Sequence, residues 1–320
     1  MKEKIFSLQP PLGEPVHLYK NVWTGGSFRE TLSIVGGLQG DQLNGLYIAS
    51  QLSRFLQRVE EGGEPGYSIT GKIQLFPLVN MLAVQSGSRL WHYDNLDTDM
   101  AFPGNPKGEV IERLCDTIYK HTAESEYGLL LYADDYEQFP HIQIQRANRS
   151  LRDMARGFGL KIVREIDLFP CRKLKLIHHW QDNGVRALLL TGGKNNSIDY
   201  PLCDNLFLSV VNFMLTMGVL SHRERKEREH QVDFYTQRDE CVVVSAHAGL
   251  FLPSVRVGDL LKEGQKIGEL RDIYSGETIV KLTAPKNGFL VTLRNHPVVY
   301  EREPLATLLT EPKPRWHWPF

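Results

Sequence analysis

The sequence contains little cysteine. Its 320 residues include only Cys115, Cys171, Cys203 and Cys241, which are far apart and form no CxxC pair. This spacing argues against a disulfide framework and against a thiolate zinc site, because both use cysteines in regular, closely spaced patterns. We expect reduced thiols in an intracellular protein.

Long apolar runs and net charge are also lacking. No segment approaches the roughly 20 apolar residues of a membrane-spanning helix, and no apolar run follows the N-terminal charges as it does in a signal peptide. With 37 Lys and Arg against 38 Asp and Glu, the net charge is -1, which argues against a general nucleic-acid binder. These absences predict a cytoplasmic protein that binds neither membrane nor nucleic acid. The 11 histidines are the one count that suggests a metal site.

The first part of the chain, residues 1–225, has the pattern of an α/β domain. Short apolar runs alternate with segments whose apolar residues recur at helical spacing. Strands are predicted at 32–35, 73–77, 129–132 and 187–190, and helices at 43–59, 110–118 and 206–220. Such alternation indicates helices packed on both faces of a sheet.

The remaining residues, 226–320, are predicted to form a small all-β domain. A dense mixed-charge run at 221–231 marks the boundary, and glycines and prolines then punctuate short apolar runs. Residues 257–268 and 284–290 resemble the two halves of a biotinyl/lipoyl-type barrel-sandwich hybrid. At the tip between those halves Glu277 stands near the place of the modified lysine of carrier domains, so we expect a structural domain and no swinging-arm carrier.

A polar motif directly follows the first predicted strand. Residues 34–45 read IVGGLQGDQLNG, and the carboxyl end of an open α/β sheet is where such proteins bind ligands. The segment resembles the His-Gly-Asp/Asn-Glu zinc loop of the succinylglutamate desuccinylase/aspartoacylase family, in which the His and the Glu bind zinc. Further segments resemble that family in the same order: 76–80, 97–104, 112–113, 140–142, 249–251 and 258–268. The resemblance implies a zinc-carboxypeptidase-like mixed-sheet domain followed by the barrel-sandwich-hybrid domain.

The residues that carry the family's chemistry are replaced. Gln39 and Gln42 stand at the two ligand positions, and neutral carboxamides are poor zinc ligands. The loop that supplies the third ligand, 132–137, contains no histidine, and Asp134 is the best-placed substitute. Leu190 stands near the position of the catalytic Glu, and Met100 replaces an arginine that binds substrate carboxylate. We therefore expect no catalytic residue and no bound metal.

Other residues remain candidates for binding. The resemblance implies a substrate-binding role for Arg89, Asp97 and Asp41, and His92 lies on a presumed loop beside the same site. For Arg89 the alternative stays open that it is an ordinary surface or ion-paired arginine. The C-terminal tail carries Trp316, Trp318 and Phe320. Three interpretations of this tail stay open: it packs on its own β domain, docks into the vestigial cleft, or anchors a partner protein or peptide.

Three functions are compatible with these observations. The first is a catalytically degenerate family member that acts as a binding or scaffolding protein. The second is an active metal-dependent hydrolase, cleaving an amide bond of an N-acyl amino acid or peptide, with zinc in a site rebuilt from residues such as Asp41, Asp134, His92 or His141. The third is a small-molecule sensor that binds carboxylates through Arg89.

Overall fold

The computed structural model describes residues 1–10, 12–26, 30–133, 135–145, 147–166, 175–224 and 231–310. Its helices are α1 (Leu43–Glu60), α2 (Met81–Ser86), α3 (Val110–Thr122), α4 (Arg149–Arg156), α5 (Lys175–Asp182) and α6 (Tyr200–Thr216). Its first strands are β1 (Lys2–Leu8), β2 (Val16–Thr24), β3 (Thr31–Val35), β4 (Tyr67–Ile69), β5 (Lys72–Phe76), β6 (Tyr127–Tyr132), β7 (Tyr136–Gln145), β8 (Ile162–Ile166), β9 (Arg186–Gly193) and β10 (Leu220–His222). The later strands are β11 (Asp233–Thr236), β12 (Glu240–Val244), β13 (Gly249–Pro253), β14 (Leu260–Leu261), β15 (Lys266–Arg271), β16 (Thr278–Thr283), β17 (Gly288–Arg294), β18 (Val298–Val299) and β19 (Pro304–Leu309).

The centre of the main sheet is parallel, with β3 between β5 and β6, and β9 next to β6. From β3 the chain passes through α1 to β5, which lies on one side of β3. It then passes through α3 to β6, which lies on the other side of β3. The loops after these four strands therefore meet at one edge, at the kind of topological switch point where α/β proteins bind ligands.

Helices cover both faces of this sheet, as the alternation predicted. Along the buried strands successive side chains point to opposite faces. Leu129 and Leu131 of β6 join the core under α1, α4 and α6, whereas Leu130 joins the core under α3 and α5. The mixed α/β class implied by the resemblance is confirmed.

Helix α6 does not have its predicted bounds of 206–220. It begins six residues earlier because Asp199 caps it, accepting a hydrogen bond from the Leu202 amide, and because Pro201 is tolerated in a first helical turn. It ends at Thr216, and Gly218 then adopts a positive φ of 72° that most side chains disfavour. The predicted helix extended to residue 220 because the apolar sequence continues beyond the helix end, where Val219 and Leu220 are also buried in the core.

The C-terminal strands form two layers. β17, β19 and β12 extend the main sheet through the pairing of β17 with β7, and β13, β15, β16 and β18 form a separate four-stranded antiparallel sheet. The additional antiparallel sheet agrees with the predicted β domain. The domain boundary at residue 226 stays a prediction; β11, the first described strand after it, pairs in parallel with β8.

An N-terminal hairpin, β1 with β2, adds two antiparallel strands beside β5. The sequence predicts no strand there, because the prolines and the glycine at 10–15 break the apolar pattern. Of these, Pro10, Gly13 and Pro15 lie in the connection between the two strands. Within the described residues, no helix is long and apolar enough to cross a membrane.

Candidate functional site

The loop between β3 and α1 forms the floor of the candidate site. Residues 36–42 are all buried, and α1 begins at Leu43. Gly40 lies so close to the neighbouring segment that a Cβ there would overlap the backbone of Ala83 and Ser88. This close approach holds the loop against α2 and brings the polar residues after β3 next to residues from the 89–97 segment.

Gln39 and Gln42 are hydrogen-bonded to each other. Gln42 Nε2 donates to Gln39 Oε1 at 2.8 Å and to the Ala133 carbonyl at 3.0 Å. Gln39 Nε2 donates to Asp97, 2.9 Å from Oδ1 and 2.8 Å from Oδ2. Both side chains are 1% exposed. The amide of Gln39 is therefore occupied at both its oxygen and its nitrogen.

Asp97 is held in place by local structure. Its Oδ1 accepts a hydrogen bond from the Asp99 amide at 3.0 Å, which caps the short 3₁₀ helix Thr98–Ala101. The hydroxyl of Thr98 accepts a hydrogen bond from Asn80 Nδ2 at 2.9 Å, which ties this turn to the loop after β5. Asp97 is thus held in a fixed position, where it accepts hydrogen bonds from the side chain at position 39.

Arg89 lies between two carboxylates. Its Nη1 is 3.3 Å from Asp41 Oδ2 and 3.5 Å from Asp135 Oδ1. Burial opposes the charge of Arg89, but Tyr132, Asp135, Asp41 and Asp97 outweigh it and raise the pKa of the guanidinium, which stays cationic. Asp41 is 4% exposed, and burial raises the pKa of its carboxyl despite the pairing with Arg89.

Asn195, in the loop after β9, is a site residue that the sequence did not reveal. Its Nδ2 donates to Asp41 Oδ2 at 2.8 Å, and the Asn196 amide donates to the Asp41 carbonyl at 2.8 Å. The sequence of segment 191–196, TGGKNN, is typical of a plain turn. Its position at the end of the buried strand β9 could have indicated a site residue, because the loops that follow neighbouring parallel strands lie at the same edge of the sheet.

The structure brings together Gln39, Gln42, Asp97, Arg89 and Asp41, which we call the Gln39 site. His92 is exposed, and its ring lies 5.4 Å from that of Tyr93. Leu190 is 2% exposed and belongs to the hydrophobic core. Asp134 and the tail residues Trp316, Trp318 and Phe320 lie outside the described residues, so their predicted roles stay predictions.

His141 lies in a different environment from the Gln39 site. Its ring nitrogens contact the Phe139 carbonyl at 2.6 Å, Gln143 Nε2 at 3.1 Å and Arg164 Nη1 at 3.5 Å. The Phe139 carbonyl requires a proton on Nδ1, and Nε2 faces two N–H donors. The neutral ring, whose Nε2 lone pair accepts these hydrogen bonds, therefore fits this cluster. Burial, together with Arg164, lowers the pKa of His141 to about 3.

The residues of the Gln39 site do not fit zinc. Its two ligand positions carry neutral amides that are hydrogen-bonded to one another. Of its carboxylates, Asp97 accepts hydrogen bonds from Gln39, and Asp41 is paired with a guanidinium that repels a dication. Within the described parts of the chain, no three His, Cys, Asp or Glu side chains are grouped so that they could hold a metal ion.

Comparisons with known proteins give the same fold. No protein-family model matches the sequence. In sequence, the chain is 23% identical over 286 residues to N-alpha-acetyl-L-2,4-diaminobutyric acid deacetylase of Halomonas elongata, covering 82% of this chain and 77% of that protein. In structure, it matches the succinylglutamate desuccinylase/aspartoacylase of Rhodobacter sphaeroides with a TM-score of 0.79 at 19% identity, over 98% of this chain and 96% of the other. The chain has the succinylglutamate desuccinylase/aspartoacylase fold.

A second structure with this fold is the product-bound ectoine utilization protein EutE (DoeB) of Ruegeria pomeroyi. It matches with a TM-score of 0.79 at 16% identity, over 97% of this chain and 95% of that chain. The match spans both the α/β part and the C-terminal strands. The resemblance found in the short motifs is confirmed by this full-length similarity.

Gly40→Ala tests the close approach that shapes the site. We expect the variant to lose about 1–3 kcal/mol of unfolding free energy, because the new Cβ overlaps backbone atoms that cannot rotate away. Denaturant unfolding measures the loss. Gly26→Ala is the matched control, since no atom lies within 4 Å of a Cβ there; equal stability of the two variants would contradict the packing described.

Proposed function

We propose that this chain is a catalytically degenerate member of the succinylglutamate desuccinylase/aspartoacylase family that acts as a binding or scaffolding protein. The observation that carries the proposal is the hydrogen-bond chain Gln42–Gln39–Asp97. The two positions that would bind zinc carry neutral amides joined by one hydrogen bond, and the Gln39 amide group donates to Asp97. Without a metal ion there is no Lewis acid and no lowered pKa for a bound water.

The position of the general base supports the same proposal. Leu190 stands where the family resemblance implies a glutamate, and its side chain packs in the core under α1 and α6. The adjacent Thr191 is 1% exposed, and its side chain carries only a neutral hydroxyl group. Neither residue accepts a proton from water near neutral pH.

Binding through Arg89 faces competition within the site. A ligand carboxylate has to displace Asp135, the more exposed of its two partners, while Asp41 remains beneath the guanidinium. We therefore place ligand or peptide binding at the cleft as a whole and assign no role as sole carboxylate anchor to Arg89. We also propose that the aromatic tail, with Trp316, Trp318 and Phe320, binds a partner protein. The protein acts in the cytoplasm and uses no cofactor.

Metal analysis combined with an activity assay tests the proposal. We expect protein purified from zinc-supplemented medium to contain far less than one zinc per chain. We also expect no hydrolysis of N-acyl amino acids, with N-alpha-acetyl-L-2,4-diaminobutyric acid in the panel because a relative is named for its deacetylation. The alternative, an amidohydrolase with a rebuilt site, requires turnover that a chelator abolishes, and that result would overturn the proposal.

A further inference from the structure

A cavity of about 490 Å³ lies between the N-terminal hairpin and the segment that follows β5. Its walls are formed by apolar side chains from the hairpin and from the opposite side: Phe6, Leu8, Val16, Leu82, Trp91 and Leu114. The volume falls within the roughly 300–1,000 Å³ typical of small-molecule pockets. No residue of the Gln39 site is among the lining residues, so the cavity is distinct from that site.

The charge around this cavity has one sign. Lys2 lines it, with Nζ 4.0 Å from the centroid of the Tyr19 ring, and no carboxylate is found among the described residues of its wall. The neighbouring Glu3 pairs with Lys20 at 3.3 Å. The cavity therefore combines an apolar wall with Lys2, which has no acidic partner among the described lining residues; the other polar side chains of the wall are those of His17, Tyr19 and Asn21.

We propose that this cavity binds an amphiphilic carboxylate, a hydrocarbon chain with an anionic head. The hydrocarbon lies against Phe6, Leu82 and Trp91, where its transfer from water is favourable. The carboxylate lies beside Lys2, where a charge-assisted hydrogen bond forms. This assignment is independent of the function proposed for the Gln39 site.

Decanoate is the probe, used below its micelle concentration, and isothermal titration calorimetry is the measurement. We expect the full chain to bind one decanoate, and Lys2→Gln to weaken binding roughly tenfold, the loss of one charge-assisted contact. Lys4→Gln is the matched control, because Lys4 is an exposed lysine of the same strand outside the cavity wall. Equal weakening by both variants would overturn the role of Lys2.

Leu82→Trp provides a second arm, because the larger side chain narrows the part of the cavity where the hydrocarbon chain lies. We expect it to weaken decanoate binding, with circular dichroism showing that the variant is folded. Unchanged affinity in Leu82→Trp, no binding by the unmodified chain, or equal binding of decyltrimethylammonium would each overturn the proposal. So would a peptide of residues 311–320 that occupies the cavity and excludes decanoate, since the chain's own tail would then be the ligand.

Discussion

The double variant Gln39→His/Gln42→Glu is expected to bind zinc at least about 100-fold more tightly than the unmodified chain. The change replaces two neutral amides by an imidazole and a carboxylate at positions whose side chains already contact each other. Asp97 already accepts hydrogen bonds from position 39, so it is placed to orient the new imidazole as metal-bound histidines require. Isothermal titration with zinc gives both affinities.

The control for this experiment is a histidine–carboxylate pair on the surface. Gln57→His places an imidazole near Glu61, since Gln57 Nε2 lies 2.7 Å from Glu61 Oε1 on the exposed side of α1. We expect only weak zinc binding there. If the double variant binds zinc no better than Gln57→His, then the backbone around the Gln39 site has lost the geometry of a metal site along with its ligands.

The free energy of unfolding is expected to decrease as the pH is lowered, because of His141. The pKa of this buried ring is about 3 in the folded chain, against about 6.5 when unfolded. As the pH drops below 6.5, the unfolded state takes up a proton that the folded state refuses, so stability decreases with falling pH until about pH 3. Between pH 7 and pH 5 this one group removes about 2 kcal/mol of unfolding free energy.

Denaturant unfolding of the unmodified chain and of His141→Gln at both pH values isolates this effect. The variant is expected to lose about 2 kcal/mol less than the unmodified chain between pH 7 and pH 5, whatever its stability at neutral pH. His296→Gln, which removes an exposed histidine, keeps the full pH dependence. An unchanged pH dependence in His141→Gln would contradict the neutral state assigned to the ring.

The sequence predicted the α/β part because its strands are buried on both faces. Leu188, Leu189 and Leu190 form an uninterrupted apolar run because the first and last face one core and the middle one the other. The position of the site was also predictable, since Gln39 and Asp41 directly follow a buried strand. These features depend on neighbours in the chain.

The contacts within the site depend instead on residues far apart in sequence. Gln39 and Asp97 are separated by 58 positions, and Asp41 and Asn195 by 154. No periodicity encodes such pairs, because the packing of several strands brings them together. An ion-paired Arg89 was one of the two interpretations of the sequence, but its partners could not be named for the same reason, since Asp41 and Asp135 come from loops after different strands.

Strand β7 has a consequence for any attempt to divide the chain. It pairs with β9 through Gln138–Gln143 and with β17 through Tyr136–Gln138, so one ten-residue strand belongs to both halves. Excision of the C-terminal residues would leave the start of β7 with open hydrogen-bonding groups, and β8 would lose β11. Exposed strand edges of this kind recruit other chains and cause aggregation. The two halves are therefore joined as one hydrogen-bonded body and are poor candidates for separate expression.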